Sequence, residues 1–252
     1  MNVTADSFSD GGKFLDASRA IKHALRLRAE GADFVDVGGE STRPGATPVP
    51  VEEELRRVMP VVEALVKEGV AVSVDTMKPQ VMRAAIAAGC AVVNDVNGFR
   101  AAGACEAVAR ADVGLIVMHM KGAPADMQKE PRYDDVVAEV SSFLAARAAA
   151  LEAAGIAAHR IALDPGFGFG KSVAHNKALF HALPALAALG YPIVAGVSRK
   201  KMIGDFTGRP AAERAAGSVA AALLAVQNGA SLVRVHDVRE TVDAINVWME
   251  LK

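Results

Sequence analysis

One phrase recurs along this chain and limits what it can become: an Ala/Leu-rich amphipathic stretch, a glycine, then a short β-branched run closing on a polar residue. Its instances are AEGADFVDVG (29–38), KEGVAVSVD (67–75), AAGCAVVND (87–95), AAGIAAHRIALD (153–164), ALGYPIVAGVS (188–198) and QNGASLVRVH (227–236), with a further run LIVMH at 115–119. The glycine suits the left-handed cap that ends a helix, because it has no Cβ to clash there. The run after it is nearly continuously apolar, the mark of a parallel strand covered on both faces. Counting NVT at the start, eight such strands alternate with helices and no linker interrupts them.

That pattern predicts an α/β fold, a closed (β/α)8 TIM barrel forming a single domain over 1–252. An open flavodoxin-like sheet is the alternative, and either architecture puts the ligand site at the C-terminal ends of the strands. Only Met1 precedes Asn2, where a strand needs about 5 residues, so the first strand is expected to be truncated.

A hydrophobic content of 52% over 252 residues suffices for one large core. With 28 Lys+Arg against 29 Asp+Glu, no global field favours nucleic acid or an anionic membrane, so any anion must be held locally. Cys90 and Cys105 are too few for a disulfide framework and are expected to be buried, inert thiols in a reducing compartment. No apolar run approaches the length of a membrane span and the opening is too polar for a signal peptide, which predicts a cytoplasmic protein.

Almost every strand closes on a group that can hydrogen-bond or carry charge: Asn2, Asp36, Asp75, Asn94, His119, Asp164, Ser198 with Arg199 and Lys200, then Arg234 and His236. Any one of them could cap a strand or the next helix. Together, on one barrel rim, they describe a site. Asp75, Asn94, Asp164 and Lys200 offer carboxylates, an amide and an ammonium, a set that can read the edge of a heteroaromatic ring. Thr42, Arg43, Arg234 and His236, with Asn2 as a neutral oxygen ligand for a hard cation, suit a phosphate-type anion. Two loops rich in turn formers, 4–12 and 38–48, are expected to act as flaps carrying Phe8, Asp10, Thr42, Arg43 and Pro44.

DPGFGFGKS (164–172) matches neither phosphate-loop pattern; only three residues separate Gly166 from Gly170. Gly166 and Gly168 are expected to let the backbone pass close to a flat ligand, with Phe169 as a wall and Lys171 solvated. His119 and Met118 can line the pocket. His23, His159, His175 and His181 have no metal-ligand spacing, and no nucleophile-base pattern stands out.

NVTADSFSDGG, DVGGESTRPGA, VSVDTMKP, NDVNG, MHM, DPGFGFGK, GVSRKKMIG and RVHDV, in this order, resemble the motif series of the dihydropteroate synthase family over essentially the whole chain. The resemblance implies a folate-pathway transferase that condenses 6-hydroxymethyl-7,8-dihydropterin pyrophosphate with p-aminobenzoate, using Mg²⁺, by C–O cleavage running ahead of amine attack. It further implies that Asn2 ligates the Mg²⁺ and that Asp75, Asn94, Asp164 and Lys200 hold the pterin. Met118, Phe169 and Gly196 would shape the pterin slot. Thr42, Arg234 and His236 would bind the pyrophosphate, with Asp75, Asp164, Lys200, Arg234 and His236 as the catalytic set. Phe8, Ser9, Arg43 and Pro44 would form the p-aminobenzoate pocket, where sulfonamides compete. A homodimer is implied, without nucleic-acid or membrane partners. The sequence departs from the family at Ala5, where proline is usual, and at Lys201, where a smaller residue is frequent. A pterin-binding methyltransferase barrel and a catalytically silent relative are the competing readings; the former does not need the basic anion groups.

Overall fold

The computed structural model describes residues 3, 13–42, 45–122, 127 and 131–252, the side chains of 13–16 excepted. In chain order these form α1 (Lys13–Ala29), β1 (Val35–Gly38), α2 (Val51–Lys67), β2 (Val72–Asp75), α3 (Pro79–Ala87), β3 (Val92–Asp95), α4 (Ala104–Val108) and β4 (Gly114–Met118). There follow α5 (Val136–Ala153), β5 (Ile161–Asp164), α6 (Val173–His181), α7 (Leu183–Ala187), β6 (Val194–Ala195), α8 (Lys201–Thr207), α9 (Ala215–Gln227), β7 (Leu232–Val233) and α10 (Val238–Leu251). No described helix is long and apolar enough to cross a membrane.

Every pairing is parallel and joins strands consecutive in the chain: β1 to β5 form one sheet, β6 pairs with β7, and a bridge between Leu163 and Ile193 carries β5 over to the β6 edge. A flavodoxin-like sheet reverses its order at a switch point; this one never does. Closure follows from one ion pair. Laid flat, β1 and β7 would be six strand spacings, about 29 Å, apart, yet Arg234 after β7 lies 2.6 Å from Asp36 on β1. The sheet therefore curls round on itself. Val3 stands where the expected first strand would run, its N–H donating to the Gly38 carbonyl at 2.8 Å, but it belongs to no described strand.

The register divides each strand into two faces. Val35, Val37, Val72, Val74, Val93, Leu115, Val117, Ile161 and Leu163 point outward into the main core beneath the helices. Ile116, Ala162 and Val194, with Val92 and Leu232, pack inside the barrel. Cys90 is buried, whereas Cys105 is only half-buried. Successive side chains alternate faces, so the inner series continues toward the C-terminal mouth as Asp36, Asp75, Asn94, Met118, Asp164, Gly196 and Arg234.

Two left-handed glycines separate conformational need from steric need. Gly155, at φ +88, has nothing within 4 Å of a built Cβ, whereas at Gly166, at φ +68, a Cβ would lie 1.9 Å from the His119 carbonyl oxygen. Gly155→Ala should cost about 1 kcal/mol, the left-handed penalty alone. Gly166→Ala should cost more than about 3 kcal/mol, because backbone must move. Urea denaturation of the two variants checks the order; equal costs would contradict the packing.

Candidate active site

The polar inner residues meet at the mouth. Arg234 donates from Nε to Asp36 at 2.6 Å and from a terminal nitrogen to Asp75 at 3.1 Å. Ser73 donates to the other Asp36 oxygen at 2.6 Å, and the Asn94 amide approaches Asp36 at 3.5 Å. Asp75 and Asn94 are register partners on adjacent strands. Asp75 Oδ1 and Asn94 Oδ1 are buried without a hydrogen-bond partner, so two acceptors stand side by side in a desolvated mouth. Across it, a Cβ built on Gly196 would lie 3.7 Å from Lys200 Nζ and 3.9 Å from Asp164 Oδ2. Gly196 keeps that space open.

An apolar wall adjoins these groups. Val96, Met118, Met120, Met127 and Phe169 form a buried cluster with Met77 against it, and Lys200 Nζ sits 4.7 Å above the Phe169 ring. A flat ligand with a polar edge fits such a place. The site is defined by these groups and not by cavity size: a groove of about 550 Å³ lies beside the wall, between the β4 exit and α5, lined by residues including Met120, Arg100, Lys121, Glu139 and Phe143.

Charge separates the carboxylates. Burial pushes Asp75 up to about 7, helped by the nearby Asp36 charge and opposed by Arg234. Burial also acts to raise Asp36, but the Arg234 charge and the hydrogen bonds from Ser73 and Arg234 prevail and hold it below the ordinary range. Asp164 is raised by burial, with Lys200 pulling the other way. Lys200 is lowered to about 8 by burial, partly offset by Asp164. Titratable groups whose environments push them apart mark functional sites.

The turn after β6 carries Lys200 and is tightly held. Arg199 adopts φ +56; its N–H donates to Ser218 at 2.9 Å and its guanidinium pairs with Asp237. Arg214 donates to the carbonyls of Arg199 and Lys200 at 3.0 and 3.3 Å. Its guanidinium lies so close to Gly204 that a Cβ there would be 2.1 Å away. His236 is exposed at the rim, its Nδ1 3.0 Å from Ser198 Oγ. Desolvation, then the Arg234 and Arg199 charges, lower its pKa. Thr42 is half-buried in the loop after β1. Asn2, Phe8, Ser9, Asp10, Arg43 and Pro44 lie outside the described residues.

Two expectations need correcting. Lys171 is not solvated: it is 3% exposed, ringed by backbone carbonyls and His119. Gly166 is a glycine because the chain passes the His119 carbonyl, and a Cβ on Gly168 would meet Lys200 Cδ at 3.3 Å, so the close approaches are within the protein. Arg234, grouped with the anion-binding residues, also pairs with Asp36 and Asp75. Asp36 is the residue that sequence reasoning underrated, although its period-two place on β1 marked it as inward-facing.

A family model described as "Pterin binding enzyme" matches residues 1–236. A curated relative, dihydropteroate synthase of Neisseria meningitidis serogroup C, is 52% identical over all of this chain and 90% of its own length. A solved dihydropteroate synthase of Xanthomonas albilineans with 4-aminobenzoic acid superimposes with a TM-score of 0.94 at 57% identity, over 99% of this chain and 90% of that one. The Yersinia pestis enzyme in a sulfonamide drug complex gives 0.93 at 45% identity, over 99% and 91%.

Asp75 supplies a stability test. Its proton is held more tightly in the folded state than at the ordinary 3.8, so its contribution is full below that value and is lost as pH rises toward about 7. Relative to the parent, Asp75→Asn should therefore gain in Tm between pH 4 and pH 8. A difference in melting temperature that stays constant or shrinks over that range would contradict the raised pKa.

Proposed function

This chain belongs to the pterin binding enzyme family, and from that premise we propose that it runs the dihydropteroate synthase reaction: 6-hydroxymethyl-7,8-dihydropterin pyrophosphate and p-aminobenzoate give 7,8-dihydropteroate and pyrophosphate. It is a transferase of folate biosynthesis. The observation that carries the site assignment is the pair of buried, unpartnered acceptors, Asp75 Oδ1 and Asn94 Oδ1, opposite Asp164 and Lys200. Buried acceptors without partners cost free energy, and ring N–H groups along a pterin edge are donors that would satisfy them. In this reading Met118, Phe169 and Gly196 shape the slot for the flat ring.

The leaving group falls to the cationic rim. Arg234, His236 and Thr42 receive the pyrophosphate, with Arg234 joining the two halves of the site because it also neutralises Asp36 and Asp75. The C–O bond breaks with its electron pair leaving on pyrophosphate; the amine nitrogen then forms the C–N bond to the methylene carbon and loses its proton to water. Asp75 and Asp164 offset positive charge growing on the ring. An arylamine is neutral at pH 7, so the scheme requires no strong general base.

Among the described residues no cluster of His, Cys, Asp or Glu could cage a metal. Mg²⁺ commonly binds through substrate phosphates and one or two protein oxygens, which suits Asn2 as its protein ligand; when bound, it would supply charge neutralisation on the pyrophosphate. Phe8, Ser9, Arg43 and Pro44 are proposed for the amine pocket, where sulfonamides compete with p-aminobenzoate. We read 1–252 as one pterin-binding domain, acting in the cytoplasm as a homodimer; exposed Phe206, Leu224, Val247 and Leu251 supply apolar surface for self-association.

Pyrophosphate release on mixing both substrates with Mg²⁺ is the deciding experiment. A chain that binds the pterin but releases none is a silent relative or a methyltransferase-type barrel, and the proposal fails. Lys200→Ala and Asp164→Ala should weaken pterin binding about 100-fold, as expected for losing a buried charged partner. His236→Ala should raise KM for the pyrophosphorylated pterin while leaving affinity for the unphosphorylated pterin unchanged. Calorimetric titration with both ligands separates these outcomes.

A further inference from the structure

We infer that Lys171 is a positioning residue of the pterin site, aligning Asp164 and the Phe169 wall from behind. The inference rests on the function proposed above and deepens it. Lys171 ends DPGFGFGK and makes no hydrogen bond to a side chain assigned to substrate. Its ammonium donates to the Gly166 and Phe169 carbonyls, both at 3.0 Å, approaches the His119 carbonyl at 3.4 Å, and lies 2.9 Å from His119 Nδ1. Burial, then the adjacent Lys171 charge, lowers His119 to about 3, and burial lowers Lys171 itself to about 7 with Asp164 opposing, so the imidazole is neutral and the lysine donates as ammonium or amine.

Two of these contacts, to Gly166 and Phe169, lead on to groups of the proposed site. Lys171 holds the carbonyl of Gly166, and across the same Cα the Gly166 N–H donates to Asp164 Oδ1 at 2.7 Å. The Phe169 carbonyl fixes the residue whose ring stands 4.7 Å below Lys200 Nζ. Other ties hold the same loop from outside, Tyr133 to the Gly170 carbonyl, Asn176 to the Gly168 N–H and Lys200 to the Phe167 carbonyl, at 2.9, 2.7 and 2.5 Å. These hydrogen bonds reach neither Gly166 nor Phe169. Among the described residues Lys171 thus joins the β4 exit to the two peptides that set Asp164 and Phe169. Supporting groups of this kind typically change affinity 10- to 100-fold when removed.

The test uses Lys171→Met, which keeps length and apolar volume, and His119→Leu, which removes the ring acceptor but leaves the lysine. In the full chain, Lys171→Met should raise KM for the pterin pyrophosphate about tenfold and leave KM for p-aminobenzoate within twofold. Amide exchange should quicken over 165–170 and stay unchanged over 72–75. His119→Leu should move both readouts in the same direction by less. An unchanged pterin KM, or equal rises in both KM values, overturns the inference. If Lys171→Met does not fold, His119→Leu decides on the same criteria. If the parent releases no pyrophosphate, the reaction proposal fails by itself, and exchange over 165–170 in His119→Leu or Lys171→Met still decides the role of Lys171: no acceleration there rejects it.

Discussion

The Arg234 guanidinium, wedged between Asp36 and Asp75, is the interaction on which the mouth of this barrel depends. Two carboxylates from adjacent strands point into the same desolvated space, and like charges so placed cannot both stay ionised without a cation between them. Arg234 arrives from the far end of the sheet, so its contact with β1 and β2 depends on the barrel having curled round. Buried ion pairs seldom add much net stability, because desolvation consumes the Coulombic gain. The value of this one lies in what it does to its partners: Asp36, doubly bonded, stays ionised, whereas Asp75 keeps one oxygen without a partner and a raised pKa.

From that separation comes a division of labour between neighbouring acids. Asp36 acts as the counter-ion that fixes Arg234, and Asp75 is left to answer to a ligand. A donor edge binding Asp75 would favour its ionised form, drawing on free energy that the unliganded fold does not use. The same holds for Asn94, whose amide leans on Asp36 while its oxygen remains unpartnered. The chain tolerates these desolvated acceptors because the outer faces of the same strands are buried in a continuous Val/Leu/Ile core. Stability is supplied on one face of each strand, and the other is left to the polar groups of the mouth.

That two-faced logic explains how much of the site was legible in the sequence. Period-two alternation along VSVD, VVND and IALD places Asp75, Asn94 and Asp164 on the inner face without any tertiary knowledge, and the sequential repeat favours closure over a doubly wound sheet. Lys171 was not legible. Apart from His119 Nδ1, its partners are backbone carbonyls of residues 119, 166 and 169, and carbonyls carry no residue type to read; a lysine after glycine in a loop looks solvated by default. The later strands read long for a related reason. PIVAGV and LVRV are apolar enough for extended strands, but pairing is confined to Val194–Ala195 and Leu232–Val233, and beyond β6 the chain turns through Arg199 at φ +56, stabilised by Arg214, Ser218 and Asp237.

The turn at Arg199 and the loop at Gly166 share a design that ties side chains of the mouth to the scaffold. In each, a segment carrying a functional group leaves the end of a strand in a left-handed conformation and is clamped by a cation donating to backbone carbonyls, Arg214 at 199–200 and Lys171 at 166–169. In each, a glycine is required where the clamp or chain passes: Gly204 under the Arg214 guanidinium, Gly166 against the His119 carbonyl. A carbonyl clamp fixes backbone, and fixed backbone fixes the Lys200 and Asp164 side chains more firmly than side-chain packing alone could in an open mouth. The two groups that face each other across Gly196 are thus held by clamps from separate elements, and Lys200 Nζ, donating to the Phe167 carbonyl at 2.5 Å, ties one clamped segment to the other.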